Sequence, residues 1–164
     1  MSYINDGIVT LKDICIPSRE RLEKGGAAII ECVQKIPCNP CVDACPRQAI
    51  IIEGDINNVP RVDFGKCNGC GLCIANCPGL AIFLVDASHK KDKALLGLPY
   101  EFIPLPEEGE SVILLDRAGE PVGEGIVHKV RNTKAQDRTP VIFLELDKDL
   151  LMTVRFFRRK SHEK

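Results

Sequence analysis

The chain has 164 residues, of which 45% are hydrophobic, 27% charged and 5% aromatic, and its net charge is −1 at pH 7. This length and composition predict one or two small domains. The near-neutral charge, without a basic stripe interleaved with aromatic residues, argues against a nucleic-acid partner.

Residues 1–26 carry several charges and no long apolar run. We therefore expect neither a signal peptide nor a membrane span, and we expect a reducing, cytoplasmic compartment. Within this stretch, residues 19–24 are predicted to form a short helix that Ser18 caps and Gly25 ends. Because this helix has few apolar residues, it is predicted to be a surface arm, either solvated or set against a partner subunit.

Residues 67–78 read Cys-Asn-Gly-Cys-Gly-Leu-Cys-Ile-Ala-Asn-Cys-Pro, which is a C-x2-C-x2-C-x3-C-P pattern. Three thiolates at this spacing can wrap one face of an iron–sulfur cube, and in two-cluster ferredoxins the fourth cysteine ligates the other cluster. A shift of 32 residues aligns an earlier copy of the motif with this run, so the two are an internal repeat. The aligned pairs are Cys38 with Cys70, Cys41 with Cys73, and Cys45 with Cys77.

The earlier copy lacks one ligand, because the position equivalent to Cys67 is Lys35. An ammonium group cannot replace a thiolate on iron, so this half needs a ligand from elsewhere. Cys32, three residues upstream of the vacancy, is the predicted substitute. The alternatives are Cys15 as the fourth ligand, or a three-cysteine [3Fe–4S] site.

The crossed arrangement of two-cluster ferredoxins then predicts two [4Fe–4S] clusters, with each motif contributing to both. The predicted ligands of cluster 1 are Cys32, Cys38, Cys41 and Cys77. The predicted ligands of cluster 2 are Cys67, Cys70, Cys73 and Cys45. The ninth cysteine, Cys15, lies between two isoleucines and is predicted to be a small buried hydrophobic residue.

Other interpretations of the cysteines are weaker. A disulfide framework is disfavoured because the cysteine count is odd and no secretory segment is expected. Structural zinc takes four ligands from two separated pairs, whereas here each pair has a third cysteine at the same pitch and a following C-P. His89, His128 and His162 are not interleaved with cysteines, which argues against a Rieske centre.

The predicted fold class is α+β. Residues 27–86 are predicted to be a ferredoxin-like two-cluster module of short strands, the first at residues 27–30, stabilised by metal ligation. The polar, basic residues 87–98 are predicted to be a linker. Residues 99–160 contain five β-rich runs separated by turns, at residues 102–105, 111–115, 125–130, 141–146 and 151–157. These runs predict a small antiparallel β-barrel or sandwich.

The module resembles bacterial two-cluster ferredoxins, with Lys35 as the departure. The wider run Pro17-Ser18-x-Glu20-Arg21-Leu22, followed by residues 30–41, is similar to a small ferredoxin-type subunit of anaerobic bacteria and archaea. That subunit is found beside FAD-dependent amino-acid or amine dehydrogenase subunits of the proline-dehydrogenase-like kind. The resemblance implies that flavin subunits oxidise a substrate or NAD(P)H and that this chain relays the electrons.

The predicted function is that of an electron-transfer iron–sulfur subunit with no catalytic residues of its own. Its predicted partners are an FAD-containing dehydrogenase subunit and a further electron carrier. The arm at residues 1–26 and the β-rich residues 99–160 are then docking surfaces. The alternatives are a free-standing ferredoxin, and a protein whose clusters sense redox state or only stabilise the fold.

Overall fold

The structure is a computed structural model that describes residues 3–160. Its helices are short: α1 (Tyr3–Asp6), α2 (Arg19–Glu23), α3 (Pro40–Asp43) and α4 (Leu72–Ala75), with 3-10 turns at Lys134–Gln136 and Lys148–Leu150. Ser18 caps α2 as predicted, because its side chain accepts a hydrogen bond from the backbone of Arg21. No helix among the described residues is long and apolar enough to cross a membrane.

Strands make up most of the regular structure. They are β1 (Ala27–Ile30), β2 (Ile50–Ile51), β3 (Arg61–Val62), β4 (Ile82–Asp86), β5 (Lys93–Pro99), β6 (Ser111–Leu115), β7 (Pro121–Arg131), β8 (Val141–Asp147) and β9 (Phe156–Arg159). Seven of them form one antiparallel sheet in the order β1-β4-β5-β8-β7-β6-β9, and β2 pairs with β3. The described chain is therefore mostly sheet with few helices.

The predicted barrel or sandwich of residues 99–160 is wrong, because their strands belong to one open sheet that also contains β1 and β4. The connecting element is β5, which lies largely in the segment predicted to be a linker. It pairs with β4 on one side and with β8 on the other. Although the strand begins at a polar lysine, apolar residues alternate along it, and Ala94, Leu96 and Leu98 are fully buried.

Both faces of this sheet carry apolar residues. On β8, Ile142, Leu144 and Leu146 belong to the larger core, which extends across the sheet. The alternate residues Val141 and Phe143 belong to a smaller core on the opposite face, together with Cys41 and Cys73. The face of Phe143 is therefore the one that supports the cysteine motifs.

The two edge strands of the open sheet are connected by buried charges. Glu31 directly follows β1, and Arg155 directly precedes β9. Nε of Arg155 donates to Oε1 of Glu31 at 2.5 Å, and Nη2 of Arg117 donates to the same oxygen at 2.7 Å. The sheet therefore curls enough for side chains at its two edges to contact each other. Among the described residues, no backbone ladder joins the two edge strands, so the sheet is not a closed barrel.

Candidate metal centres

The eight predicted ligand cysteines lie in two groups of four, each lining one apolar pocket. The first group is Cys32, Cys38, Cys41 and Cys77. The second group is Cys45, Cys67, Cys70 and Cys73. The structure thus brings together the same two sets that the motif spacing predicts, including the exchange of Cys45 and Cys77 between the repeats.

Cys15 lines neither of these pockets. Its side chain is exposed, so its predicted role as a small buried hydrophobic residue is wrong. The physical reason is that its segment runs along the surface, where Ile16 is also 45% exposed. Cys15 does line a neighbouring groove together with Cys32, which makes it the natural control for any test of Cys32.

The internal repeat is visible in the backbone as well as in the sequence. Cys41 and Cys73 are buried on the short helices α3 and α4. After each helix, a backbone N–H group donates to the sulfur of the fourth cysteine, from Ala49 to Cys45 at 3.3 Å and from Ala81 to Cys77 at 3.4 Å. The residue before each donor is Gln48 or Leu80, with φ of 50° and 51°. Each repeat therefore fixes its fourth cysteine in the same way.

At the first repeat, Cys32 lines the pocket of the other three cysteines and Lys35 does not. Lys35, at the position equivalent to Cys67, is exposed. Cys32 is half-buried and lines the first pocket, where Ile30, Ile36 and Ile82 complete an apolar wall. The residues between Cys32 and Cys38 therefore loop outward and leave both thiols at the same pocket.

The second motif is anchored to β1 and to the residues before it. The backbone N–H of Ala28 donates to the sulfur of Cys67 at 3.4 Å. Gly69 has φ of +71°, and a Cβ atom placed on it would lie 2.5 Å from the carbonyl oxygen of Gly26. Only glycine allows the two backbones to approach this closely.

Two arginines hold the carbonyl groups of this second motif. Arg21, on α2, donates to the carbonyl oxygens of Phe64 and Cys67 at 2.8 and 2.5 Å, and also to those of Gly25 and Gly26. Arg131, at the end of β7, donates to the carbonyl oxygen of Cys70 at 2.8 Å. These residues were not predictable, because hydrogen bonds from distant arginines to backbone carbonyls leave no motif.

The predicted surface arm is therefore only partly right. Arg21 reaches the cysteine motif, and its neighbour Leu22 is 7% exposed and belongs to the larger core. Arg19 of the same helix remains in solvent. One side of helix α2 therefore packs against the protein, and another side faces water.

The electrostatics of both pockets suit a cationic centre. Burial, and after it the neighbouring Cys67, Cys70 and Cys45, raise the pKa of Cys73 to about 12. Burial, with Cys77 and Cys38 nearby, raises the pKa of Cys41 to about 11. Thiols that oppose one another's ionisation in this way become stable thiolates only when metal cations bind between them.

The donor set therefore fits iron–sulfur ligation, since each pocket offers four thiols, apolar walls and N–H groups directed at sulfur. When bound at four such thiolates, a [4Fe–4S] cluster supplies one-electron transfer.

A family model described as a 4Fe-4S dicluster domain matches residues 31–81. These residues are a 4Fe-4S ferredoxin domain. The ferredoxin-type protein NapF of Haemophilus influenzae is 41% identical over 61 residues, which cover 36% of this chain and 35% of NapF. The pyruvate synthase subunit PorD of Thermotoga maritima is 49% identical over 47 residues, which cover 29% of this chain and 46% of PorD.

An uncharacterized ferredoxin of Methanocaldococcus jannaschii is similar to this chain over a longer stretch than NapF or PorD. It is 29% identical over 137 residues, which cover 70% of this chain and 87% of that protein. The match to NapF spans only about a third of that relative, 35% of its length. No solved structure matches this chain. The match to a 4Fe-4S dicluster domain supports iron–sulfur clusters as the groups that residues 31–81 bind.

Proposed function

We propose that this chain is an electron-transfer subunit that holds two [4Fe–4S] clusters and passes single electrons between a flavin-containing dehydrogenase subunit and a further carrier. The observation that carries the proposal is the pair of four-cysteine pockets. Each pocket combines three cysteines from one half of the repeat with one from the other. That exchange is typical of two-cluster ferredoxins, in which it keeps the clusters close together.

The proposed ligands follow the two pockets. Cys32, Cys38, Cys41 and Cys77 hold cluster 1. Cys67, Cys70, Cys73 and Cys45 hold cluster 2. Residues 27–86 act as the cluster module, and the protein works in the cytoplasm, where a reducing environment keeps the thiols free until iron and sulfide bind.

The partner is proposed from two observations. The PorD relative is named as a subunit of pyruvate synthase, so a domain similar to this one belongs to an oxidoreductase assembly. All nine cysteines lie within the first 77 residues, which leaves residues 99–160 without a cysteine ligand of their own. Together with the resemblance to dehydrogenase-associated subunits, this favours a flavin-containing dehydrogenase as the partner and residues 99–160 as part of the docking surface.

The cluster assignment is tested by iron and acid-labile sulfide analysis of anaerobically prepared protein. Each should approach eight per chain, because each of two cubes holds four iron and four sulfide ions. The Cys32→Ser variant should convert one cluster to a [3Fe–4S] form that electron paramagnetic resonance detects. The matched Cys15→Ser variant should retain both clusters. A content near four of each ion, or reversed behaviour of the two variants, would refute the assignment.

The partner is tested separately, by anaerobic affinity purification of the tagged full-length chain from its source cell. A flavoprotein that co-purifies at constant stoichiometry, and whose bound flavin reduces the chain's clusters, is the expected result. A chain that elutes as a lone monomer with all its iron would contradict the subunit proposal. That outcome would leave the cluster assignment intact and favour a free-standing ferredoxin.

A further inference from the structure

Two histidines and a glutamate from separate segments meet on the sheet, apart from the cysteine pockets. His89 lies in the connection between β4 and β5, His128 lies on β7, and Glu145 lies on β8. One potential ligand atom from each residue lies within 4.8 Å of the other two. The imidazole rings are 4.9 Å apart between centroids, and Nε2 of His89 lies 2.6 Å from Oε2 of Glu145.

A β-bulge places His128 in this group. Val127 of β7 pairs with Leu144, and Lys129 pairs with Phe143, so His128 is an extra residue without its own partner on β8. Bulges redirect side chains and occur often beside functional sites. Glu145, two residues after Phe143, lies on the sheet face that supports the cysteine motifs.

We propose that His89, His128 and Glu145 bind one divalent transition-metal ion of the zinc type, in addition to the iron–sulfur clusters. Imidazole and carboxylate are ligands that zinc prefers, and three protein ligands with a water molecule complete a tetrahedral site. Ligand atoms about 2.0–2.1 Å from such an ion lie about 3.4 Å from one another. His128 is exposed, so its side chain can rotate to bring its nitrogen to that spacing.

Lys90 competes with a metal ion for this site. Its Nζ lies 2.6 Å from Oε2 of Glu145, the oxygen that His89 also contacts. The lysine side chain is 58% exposed, whereas that of Glu145 is 16% exposed. The ammonium group can therefore withdraw into water when a divalent ion neutralises the carboxylate. Removing Lys90 should then strengthen metal binding, whereas a purely structural ion pair would gain no metal from the same change.

The test uses the full-length chain with its clusters loaded. Zinc is titrated anaerobically by isothermal calorimetry, and iron content and cluster absorbance are measured before and after. One zinc ion per chain should bind without iron loss. The His128→Ala variant should bind zinc at least about tenfold more weakly, and Lys90→Ala should bind it more tightly. His162→Ala is the matched control and should bind as the wild type; His162 lies outside the described residues.

Several outcomes would overturn the site. These are the absence of zinc binding at millimolar zinc, equal affinity in the wild type and His128→Ala, or zinc uptake that releases iron, which would assign the zinc to the cysteines. If His128→Ala loses its cluster absorbance, Glu145→Gln replaces it as the test. An unchanged affinity in that variant would equally reject the proposal.

Discussion

Gly69 shows how one residue sets the geometry of the second cysteine motif. Its φ is +71°, and an added Cβ atom would lie 2.5 Å from the carbonyl oxygen of Gly26 and 2.7 Å from the carbonyl carbon. Backbone atoms cannot move aside as a flexible side chain can. We expect Gly69→Ala to cost at least about 1–3 kcal/mol from the left-handed backbone alone, and to lower iron content toward four per chain because the second pocket is distorted.

The matched control for this change is Gly79→Ala in the same domain. No heavy atom lies within 4 Å of the Cβ position at Gly79, and its φ is not in the left-handed region. This variant should keep its full iron content. Equal iron contents in the two variants, measured after identical reconstitution, would show that the close approach of Gly69 to Gly26 is not needed for cluster binding.

Glu31 contributes to the stability of the fold through its ion pairs with Arg117 and Arg155, and one substitution can test this contribution. Its burial opposes ionisation, but hydrogen bonds from Arg117 and the charge of Arg155 together hold the pKa of Glu31 below its ordinary value of 4.5. Glu31→Gln would leave two largely buried guanidinium groups without a counter-charge. Breaking a buried ion pair in this way costs about 3–5 kcal/mol of unfolding free energy, which denaturant unfolding of the cluster-loaded protein would measure.

The lowered pKa of Glu31 fixes the pH range of this effect. A carboxylate whose folded-state pKa is depressed contributes its stability fully above the unfolded value, and loses it as pH falls through the folded value. The difference between wild type and Glu31→Gln should therefore stay constant from about pH 8 to about pH 5. A difference that shrinks within that range would contradict the assignment. Glu20→Gln removes an exposed pair with Lys24 and should change stability by less than about 1 kcal/mol.

Helix α2 connects the N-terminal region to the second cysteine motif through Arg21. The Arg21→Gln variant loses its hydrogen bonds to four carbonyl oxygens, including that of Cys67. We expect faster iron loss to a chelator and an unfolding free energy lower by roughly 1–3 kcal/mol. Arg19→Gln on the same helix is the control, since the Arg19 side chain is 93% exposed and should matter little. Equal rates of iron loss from Arg21→Gln and Arg19→Gln would show that α2 does not anchor the cysteine motif.

The elements also show what the sequence could and could not predict. The apolar runs predict β1 and β6 at their observed bounds, and β8 to within a residue, because strand patterning is local. The run at residues 102–105 is predicted to be a strand, yet it forms none, and Phe102 and Ile103 are 62% and 93% exposed. Strand pairing was not predictable, because the partners of β5 lie both before and after it in the chain.

The cysteine groups were predictable for a different reason. Motif spacing and the 32-residue repeat constrain the ligand sets before any folding is considered. The supporting contacts of Arg21, Arg131 and the bulged His128 depend on which strands become neighbours. Such contacts are set by the tertiary fold, so they leave no local pattern.

The cysteine motifs and the C-terminal strands share their hydrophobic cores. Val141 and Phe143 of β8 pack in the smaller core with Cys41 and Cys73. On the opposite face, Ala27 and Ile29 of β1 share the larger core with Phe157 of β9. The C-terminal half is therefore a structural support for the cysteine motifs, whatever its proposed docking role.

This shared core predicts the result of a truncation. A chain that ends at residue 98 loses β6 to β9 and exposes both apolar faces of what remains. We expect this variant to aggregate, or to bind less than half the iron of the full-length chain after parallel reconstitution. A truncated chain with full iron content and unchanged cluster spectra would instead establish that residues 1–98 fold and bind both clusters without the C-terminal strands.

The proposed function requires the fourth cysteine of each repeat to ligate the cluster of the other repeat. Electron paramagnetic resonance of serine variants at Cys38, Cys70, Cys77 and Cys45, each reduced stepwise, tests this most directly. Cys77→Ser should alter the same signal as Cys38→Ser, and Cys45→Ser should alter the same signal as Cys70→Ser, because those pairs line common pockets. If Cys77→Ser instead alters the signal that Cys70→Ser alters, the ligation is not crossed and the proposed ligand sets are wrong.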